Sequence, residues 1–191
     1  MAWAKAGTTT LGSAGDDLDI TSMTANKFNV YLSHTIASGD IGVQLTFNNV
    51  GGTSYADRNS VDGGSDSTNN SGSNIGASGG GATGDGFSVI YVADISGEEK
   101  LLIGNNIQRN TAGAGTSPRR KEFVGKTSAT TAITRIDEFN GETGSYDTNS
   151  NISVLGSDGT APALNVQDGA IYYDTDLNKE YVLYNNTWTE I

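Results

Sequence analysis

The sequence predicts an all-β chain, an antiparallel β-sandwich of jelly-roll type with a small β-meander at its C-terminal end. Three observations carry this. Apolar residues recur with a period of two, no stretch has the 3.6-residue period of an amphipathic helix, and short apolar segments alternate with Gly- and Asn-rich turns. Counting every candidate yields roughly eight to ten short strands, the signature of sandwiches and jelly rolls.

The strands follow in order. Short N-terminal segments lie around Trp3 and at 8–11, and a further candidate lies at 18–23. In 27–34, Phe28, Val30, Leu32 and His34 share one face and Asn29, Tyr31 and Ser33 the other, so the apolar set is expected inward with His34 as a hydrogen-bonded interior residue. Residues 41–47 repeat the pattern with Ile41, Val43, Leu45 and Phe47 inward. Ser38-Gly39-Asp40 between these two segments predicts that they pair as a hairpin. The segment 87–93 is apolar on both faces, as in a central strand covered on both sides, and it turns at 96–99 into a partner at 100–104. Candidates at 121–126, 131–139 and 151–155 complete the body, residues 1–158. Polar loops are expected at 51–86, 109–120 and 140–150, presented by the scaffold as a recognition surface.

Residues 159–191 form a linker and meander. Strands are expected at 170–173, 179–184 and 187–191, with turns at 174–178 and Asn185-Asn186. So small a sheet buries little area by itself. Tyr172, Tyr173, Tyr181, Tyr184 and Trp188 therefore call for a partner surface, on the body or on a neighbouring subunit.

Composition narrows the chemistry. There is no Cys, which excludes disulfides, thiolate metal sites and a cysteine nucleophile, and the single His34 excludes a His-rich metal centre. Eleven basic against 22 acidic residues give a net charge of −11, which disfavours binding to nucleic acid. No apolar run approaches the about 20 residues needed to cross a bilayer, and the N-terminus lacks the pattern of a secretory signal, so a soluble chain not exported by that route is expected.

Individual motifs are weak as catalytic signals. Asp16-Asp17-Leu18-Asp19 and Asp62-Gly63-Gly64-Ser65-Asp66 leave Ca2+ open as the one cofactor, although neither has the spacing of a helix-loop-helix calcium site. Glu98, Glu99, Asp137 and Glu138 could supply a glycosidase pair, but sequence neighbours on a strand face opposite sides. No nucleophile elbow accompanies His34, and no glycine-rich stretch ends as a phosphate-binding loop. Tyr55-Ala56-Asp57-Arg58-Asn59 and Tyr146 are the candidates for glycan or receptor contact, through an aromatic platform and polar side chains that grip hydroxyls. Six of the 11 basic residues lie between Lys100 and Lys126. Of these Arg109, Arg119, Arg120 and Lys121, with Tyr172, Tyr173, Tyr184 and Trp188, are the candidate subunit contacts, a basic patch meeting the acidic face of an identical neighbour.

The C-terminal run Asp168-Gly169-Ala170-Ile171-Tyr172-Tyr173-Asp174, followed by Lys179 and by Tyr184-Asn185-Asn186-Thr187-Trp188, resembles a module of bacteriophage tail-fibre and other virion appendage proteins. The body is similar to uncharacterised virion structural proteins of marine bacteriophages. The residues that carry this are Trp3, Asp16-Asp17-Leu18-Asp19, Leu45-Thr46-Phe47-Asn48-Asn49, Tyr55-Ala56-Asp57-Arg58, Glu98-Glu99-Lys100-Leu101-Leu102-Ile103-Gly104, Ala112-Gly113-Ala114-Gly115 and Ile133-Thr134-Arg135-Ile136-Asp137. The resemblance implies a non-enzymatic structural subunit of a phage-like virion, an appendage, fibre or capsid-decorating protein assembled in the host cytoplasm. Its expected partners are copies of itself, other virion proteins and a host-surface glycan, with no nucleic acid and no membrane insertion. The alternative reading is a carbohydrate-binding module of a viral or bacterial surface protein.

Overall fold

A computed structural model describes residues 3–78, 82–158, 169–175, 177–184 and 187–191. These residues are all-β, without a helix, and every pairing between named strands is antiparallel. The described residues divide into two compact units, one over residues 3–158 and one over residues 169–191.

In the first unit the strands are β1 (Ala4–Thr10), β2 (Asp17–Ile20), β3 (Phe28–Thr35), β4 (Ala37–Ser38), β5 (Asp40–Ile41), β6 (Val43–Phe47), β7 (Tyr55–Val61), β8 (Ser67–Gly72), β9 (Ile75–Gly76), β10 (Ala82–Thr83), β11 (Gly86–Ala93), β12 (Lys100–Gln108), β13 (Arg119–Thr127), β14 (Ile136–Asn140), β15 (Ser145–Tyr146) and β16 (Asn151–Ser157). Eight of them form one sheet in the order β1-β16-β3-β11-β12-β13-β7-β8, and four form a second in the order β2-β14-β6-β9. The short pairs β5·β10 and β4·β15 stand apart from both sheets.

The core lies between the two sheets. Leu18, Ile20, Leu45, Phe47, Ile75 and Ile136 come from the smaller sheet, and Tyr31, Tyr55, Ile90, Val92, Leu102, Phe123, Ile152 and Val154 from the larger. Phe47 stands between Tyr31 and Tyr55, with ring centroids 5.9 and 6.4 Å away, so one aromatic row ties both layers together. Tyr55 is held further by its hydroxyl, which accepts from the Phe47 N–H and donates to the Val50 carbonyl, each at 2.9 Å.

Several sequence expectations are corrected. The segments at 27–34 and 41–47 do not form a hairpin. β3 lies between β16 and β11 in the larger sheet, and β6 pairs with β14 and β9 in the smaller. The face of β3 is also reversed: Asn29, Tyr31, Ser33 and Thr35 are buried, while Val30 and Leu32 are half-buried and His34 is exposed. With a side-chain period of two, inverting one strand moves its whole apolar set outward. β11 is central, between β3 and β12, but Phe87 and Tyr91 on its second face are 45% and 52% exposed. It is covered on one side only.

The expected loop at 51–86 holds strands β7 to β10. The Asp62-Gly63 turn joins β7 to β8 with both residues at positive φ, 53° and 74°, the left-handed pair a tight hairpin turn requires. Gly79-Gly80-Gly81 lie outside the described residues. The expected strand at 131–139 begins only at Ile136, and the chain before it is tied to Asn48, whose Oδ1 accepts from the N–H groups of Thr134 and Arg135 at 2.9 and 3.0 Å. The loop at 140–150 includes β15.

In the second unit β17 (Ile171–Asp174), β18 (Lys179–Tyr184) and β19 (Thr187–Glu190) form a three-stranded meander. Tyr172 packs on Tyr181 with centroids 6.1 Å apart and edge-on to Trp188 at 6.0 Å. The linker from 159 to 168 and Asn185-Asn186 lie outside the described residues.

Candidate functional site

The outer face of the eight-stranded sheet is where the fold leaves chemistry exposed. By register, Leu155, Val30, Tyr91, Ile103 and Val124 stand side by side on five adjacent strands, and the row ends at Arg58 and Thr68. Rows above and below it add Phe87 and Ile107 on one side, Leu101 on the other. Of these, Tyr91, Leu101, Ile103, Ile107, Phe87 and Val124 are each about half exposed, between 45% and 59%. Strand neighbours sit about 4.8 Å apart and same-face residues about 7 Å apart along a strand, so the patch measures about 20 by 20 Å. Two shallow depressions flank Val124. One, of about 390 Å³, is lined by Ile103, Asn105, Glu122, Arg58, Asn59 and Asp66. The other, of about 470 Å³, is lined by Leu101, Ala56, Arg58, Thr68, Asn70 and Lys126.

Charges around this face are settled locally. Lys126 pairs with Glu99 at 2.7 Å, Arg58 with Asp66 at 3.4 Å and Arg120 with Glu122 at 3.8 Å. The outer face of the smaller sheet is different. There Arg135 binds Asp19 at 2.8 Å and also Asp137, and burial followed by the charge of Asp137 raises the Asp19 carboxyl above its usual range.

The predicted glycan contacts do not assemble. Tyr55 and Tyr146 are both buried, so neither ring offers a face to a sugar. Asp57 is buried and accepts from the amides of Asn59 and Asn69 at 3.0 and 3.2 Å. Arg58 and Asn59 line one outer depression and Arg58 and the buried Asp57 the other, while Tyr55 and Tyr146 line neither.

The predicted basic patch is dispersed as well. Lys121 is buried, donates to the Ser78 carbonyl at 3.0 Å, and burial lowers its pKa against the pull of Asp57. Arg109 pairs with Asp85 at 3.3 Å and Arg119 with Asp62 at 3.5 Å. Asp62 also accepts from the Arg120 N–H at 2.9 Å, so the carboxylate considered for calcium organises this strand end instead. In the second unit Tyr172, Tyr173 and Trp188 are exposed, between 43% and 50%, and the Tyr184 side chain lies outside the described residues.

Among the described residues no group of three or more His, Asp or Glu side chains is arranged to hold a metal ion. Of the carboxylates considered for hydrolysis, Glu98 and Glu99 lie exposed on the β11–β12 turn, Asp137 is engaged by Arg135, and Glu138 is fully buried. Glu138 accepts from the Ser33 hydroxyl at 2.6 Å across the two sheets, and burial pushes its pKa up to about 7. Tyr146 is raised by burial and then by the charge of Glu138.

Sequence reasoning missed two features. Lys100, placed in the basic patch, is fully buried: its ammonium pairs with Asp94 at 3.3 Å and donates to the carbonyls of Ile95 and Thr130 at 2.5 and 3.0 Å. Asp94 accepts in turn from the Ile133 N–H at 2.8 Å, and burial raises its pKa. The exposed apolar face was the second. Its signal is the two-sided apolar character of β11, which by itself reads equally as coverage within the fold. No protein-family model matches the sequence, and no curated protein matches it.

Proposed function

We propose that this chain is a non-enzymatic structural subunit of a phage-like virion, an appendage, fibre or capsid-decorating protein that works by self-association. The observation that carries the reading is the apolar surface left over in both units: the outer face of the eight-stranded sheet, and Ile171, Tyr172, Tyr173, Leu177, Trp188 and Ile191 on the meander. Monomeric proteins rarely expose contiguous apolar patches larger than a few hundred Å², and larger ones mark interaction sites. The virion setting rests on the likeness of residues 168–188 and of the body to phage appendage and virion proteins. Assembly in the host cytoplasm and contact with a host-surface glycan belong to the same reading.

A jelly-roll topology for the sandwich is part of this proposal. The pairs β1·β16, β2·β14, β3·β11, β6·β9 and β7·β8 nest one inside the next and alternate between the larger and the smaller sheet. A long hairpin rolled up on itself pairs its strands in that way. The expected result is that the purified chain self-associates and that mass spectrometry finds it in particles. A chain monomeric at all concentrations and missing from particles refutes the reading.

The carbohydrate-binding alternative keeps one supporting observation, the groove where Arg58, Asn59, Asp66, Asn105 and Glu122 converge. It predicts glycan affinity lost in Arg58→Ala.

A further inference from the structure

We propose that the outer face of the eight-stranded sheet, centred on Tyr91 and Ile103, packs against the same face of a second copy of this chain. This rests on the self-association reading above and names its surface.

Three observations select a second copy as the occupant. The first is charge. The chain carries −11, yet at the outward positions of β3, β11, β12 and β13 the only acid is Glu122, against Arg120 and Lys126. Arg120 and Lys126 are already paired, with Glu122 and Glu99. Two strongly acidic molecules can therefore approach through this face without the repulsion they meet elsewhere, whereas a cationic or anionic partner finds no unbalanced charge to read.

The second is area. Six large side chains exposed by about half contribute about 90 Å² each, about 540 Å² together, so that with half-buried Val30, Leu32 and Val89 the apolar face alone supplies more than two-thirds of the about 800 Å² per partner of a standard interface. The third is shape. Sheets pack face to face at about 10 Å through interdigitating aliphatic and aromatic side chains, with the strand directions about 30° apart. The depressions on either side of Val124 are holes for the partner's side chains, and a two-fold arrangement lets each copy supply knobs to the other's holes.

The test uses the full chain. Sedimentation velocity over a concentration series is expected to show a dimer or larger assembly for the wild type. Ile103→Lys and Val124→Lys should each weaken association by about a hundredfold, because a charge at the centre of the face would be buried unpaired. Both positions are half exposed within one subunit, so circular dichroism and thermal unfolding of the variants should match the wild type. The chain has no Cys, so Ile103→Cys and Asn105→Cys each introduce a single thiol. Oxidation should then link two copies through at least one of these positions.

A wild-type oligomer unaffected by either lysine, or one in which neither cysteine cross-links, overturns this surface while leaving the self-association reading intact. A wild type that stays monomeric at every concentration overturns both. A monomer that instead floats with neutral phosphatidylcholine vesicles assigns the face to lipid and overturns the pairing.

Discussion

Replacing Glu138 by Gln tests how the two sheets are joined. Glu138 stands on β14 of the smaller sheet, has no solvent exposure, and receives the Ser33 hydroxyl from β3 of the larger sheet at 2.6 Å. Its second carboxylate oxygen has no hydrogen-bond partner among the described residues. Burial raises its pKa from 4.5 to about 7, the Ser33 hydrogen bond opposing only in part. The folded state thus holds a proton that the unfolded state releases above pH 4.5. The stabilisation from that proton is complete below pH 4.5 and is lost as pH rises through about 7.

At about 1.4 kcal/mol per pH unit, the interval between the two values corresponds to about 3 kcal/mol. The sequence pI is near 4.3, so the comparison belongs at pH 5.5 and pH 8, which captures about 2 kcal/mol of the effect. Gln keeps an acceptor for Ser33 and cannot ionise. Urea unfolding should show Glu138→Gln gaining about 2 kcal/mol on the wild type between pH 5.5 and pH 8. Asp19 and Asp94, also raised, contribute equally to both proteins and cancel in the difference. An identical stability gap at the two pH values would refute the assignment of Glu138 as a buried, largely protonated acid.

Lys100→Ala strands Asp94 without its cation in the interior and should cost about 3–5 kcal/mol, read as a lower urea midpoint, with part recovered in Lys100→Ala/Asp94→Asn. Gly104→Ala drives a methyl into the Phe123 ring, because the two residues oppose each other on the inner face of β12 and β13. The expected loss is about 1–3 kcal/mol of unfolding free energy, reduced when Phe123→Leu is added. Tyr55→Phe removes the hydroxyl that bridges the Phe47 N–H and the Val50 carbonyl, for about 1–3 kcal/mol in the same assay.

Strand positions were legible where alternation and turn chemistry agree. β6 has Val43, Leu45 and Phe47 buried as its pattern predicts, and the β11–β12 hairpin closes at Gly97 with φ of 87°. Partners were not legible, because β3 and β6 are separated by a turn that suits a hairpin equally well and only the distant strands β11, β14 and β16 decide between sheets. Charge clustering misled for a related reason. Lys100 and Lys121 alternate inward along their strands and are consumed by buried carboxylate and carbonyl groups, while Arg109 and Arg120 find acids nearby. Proximity in sequence among six basic residues therefore does not become proximity in space. The glycan candidates failed on the same ground, since Tyr55 and Asp57 lie on the inward face of β7.

The reversal of β3 bears most directly on function. Period-two reasoning puts Val30 and Leu32 inward and Asn29, Tyr31 and Ser33 outward, whereas the fold buries the second set and leaves Val30 and Leu32 half-buried. It can do so because the interior at that level is polar. Ser33, Ser88 and Asn106 lie side by side on β3, β11 and β12, the Asn106 amide donates to the Ser88 hydroxyl at 2.9 Å, and Glu138 closes over Ser33. Placing polar groups in a core costs stability unless they are hydrogen-bonded, and leaving Val30, Leu32, Tyr91 and Ile103 outside forgoes burial that would stabilise the fold. Both costs fall on the same three strands, β3, β11 and β12, and the pairing proposed above would recover the second of them, with these strands as an inner layer and a second copy outside. On that proposal the second apolar face of β11, left open by the single chain, would be covered by the partner copy, and its half-exposed rings and aliphatics would become the core of the pair.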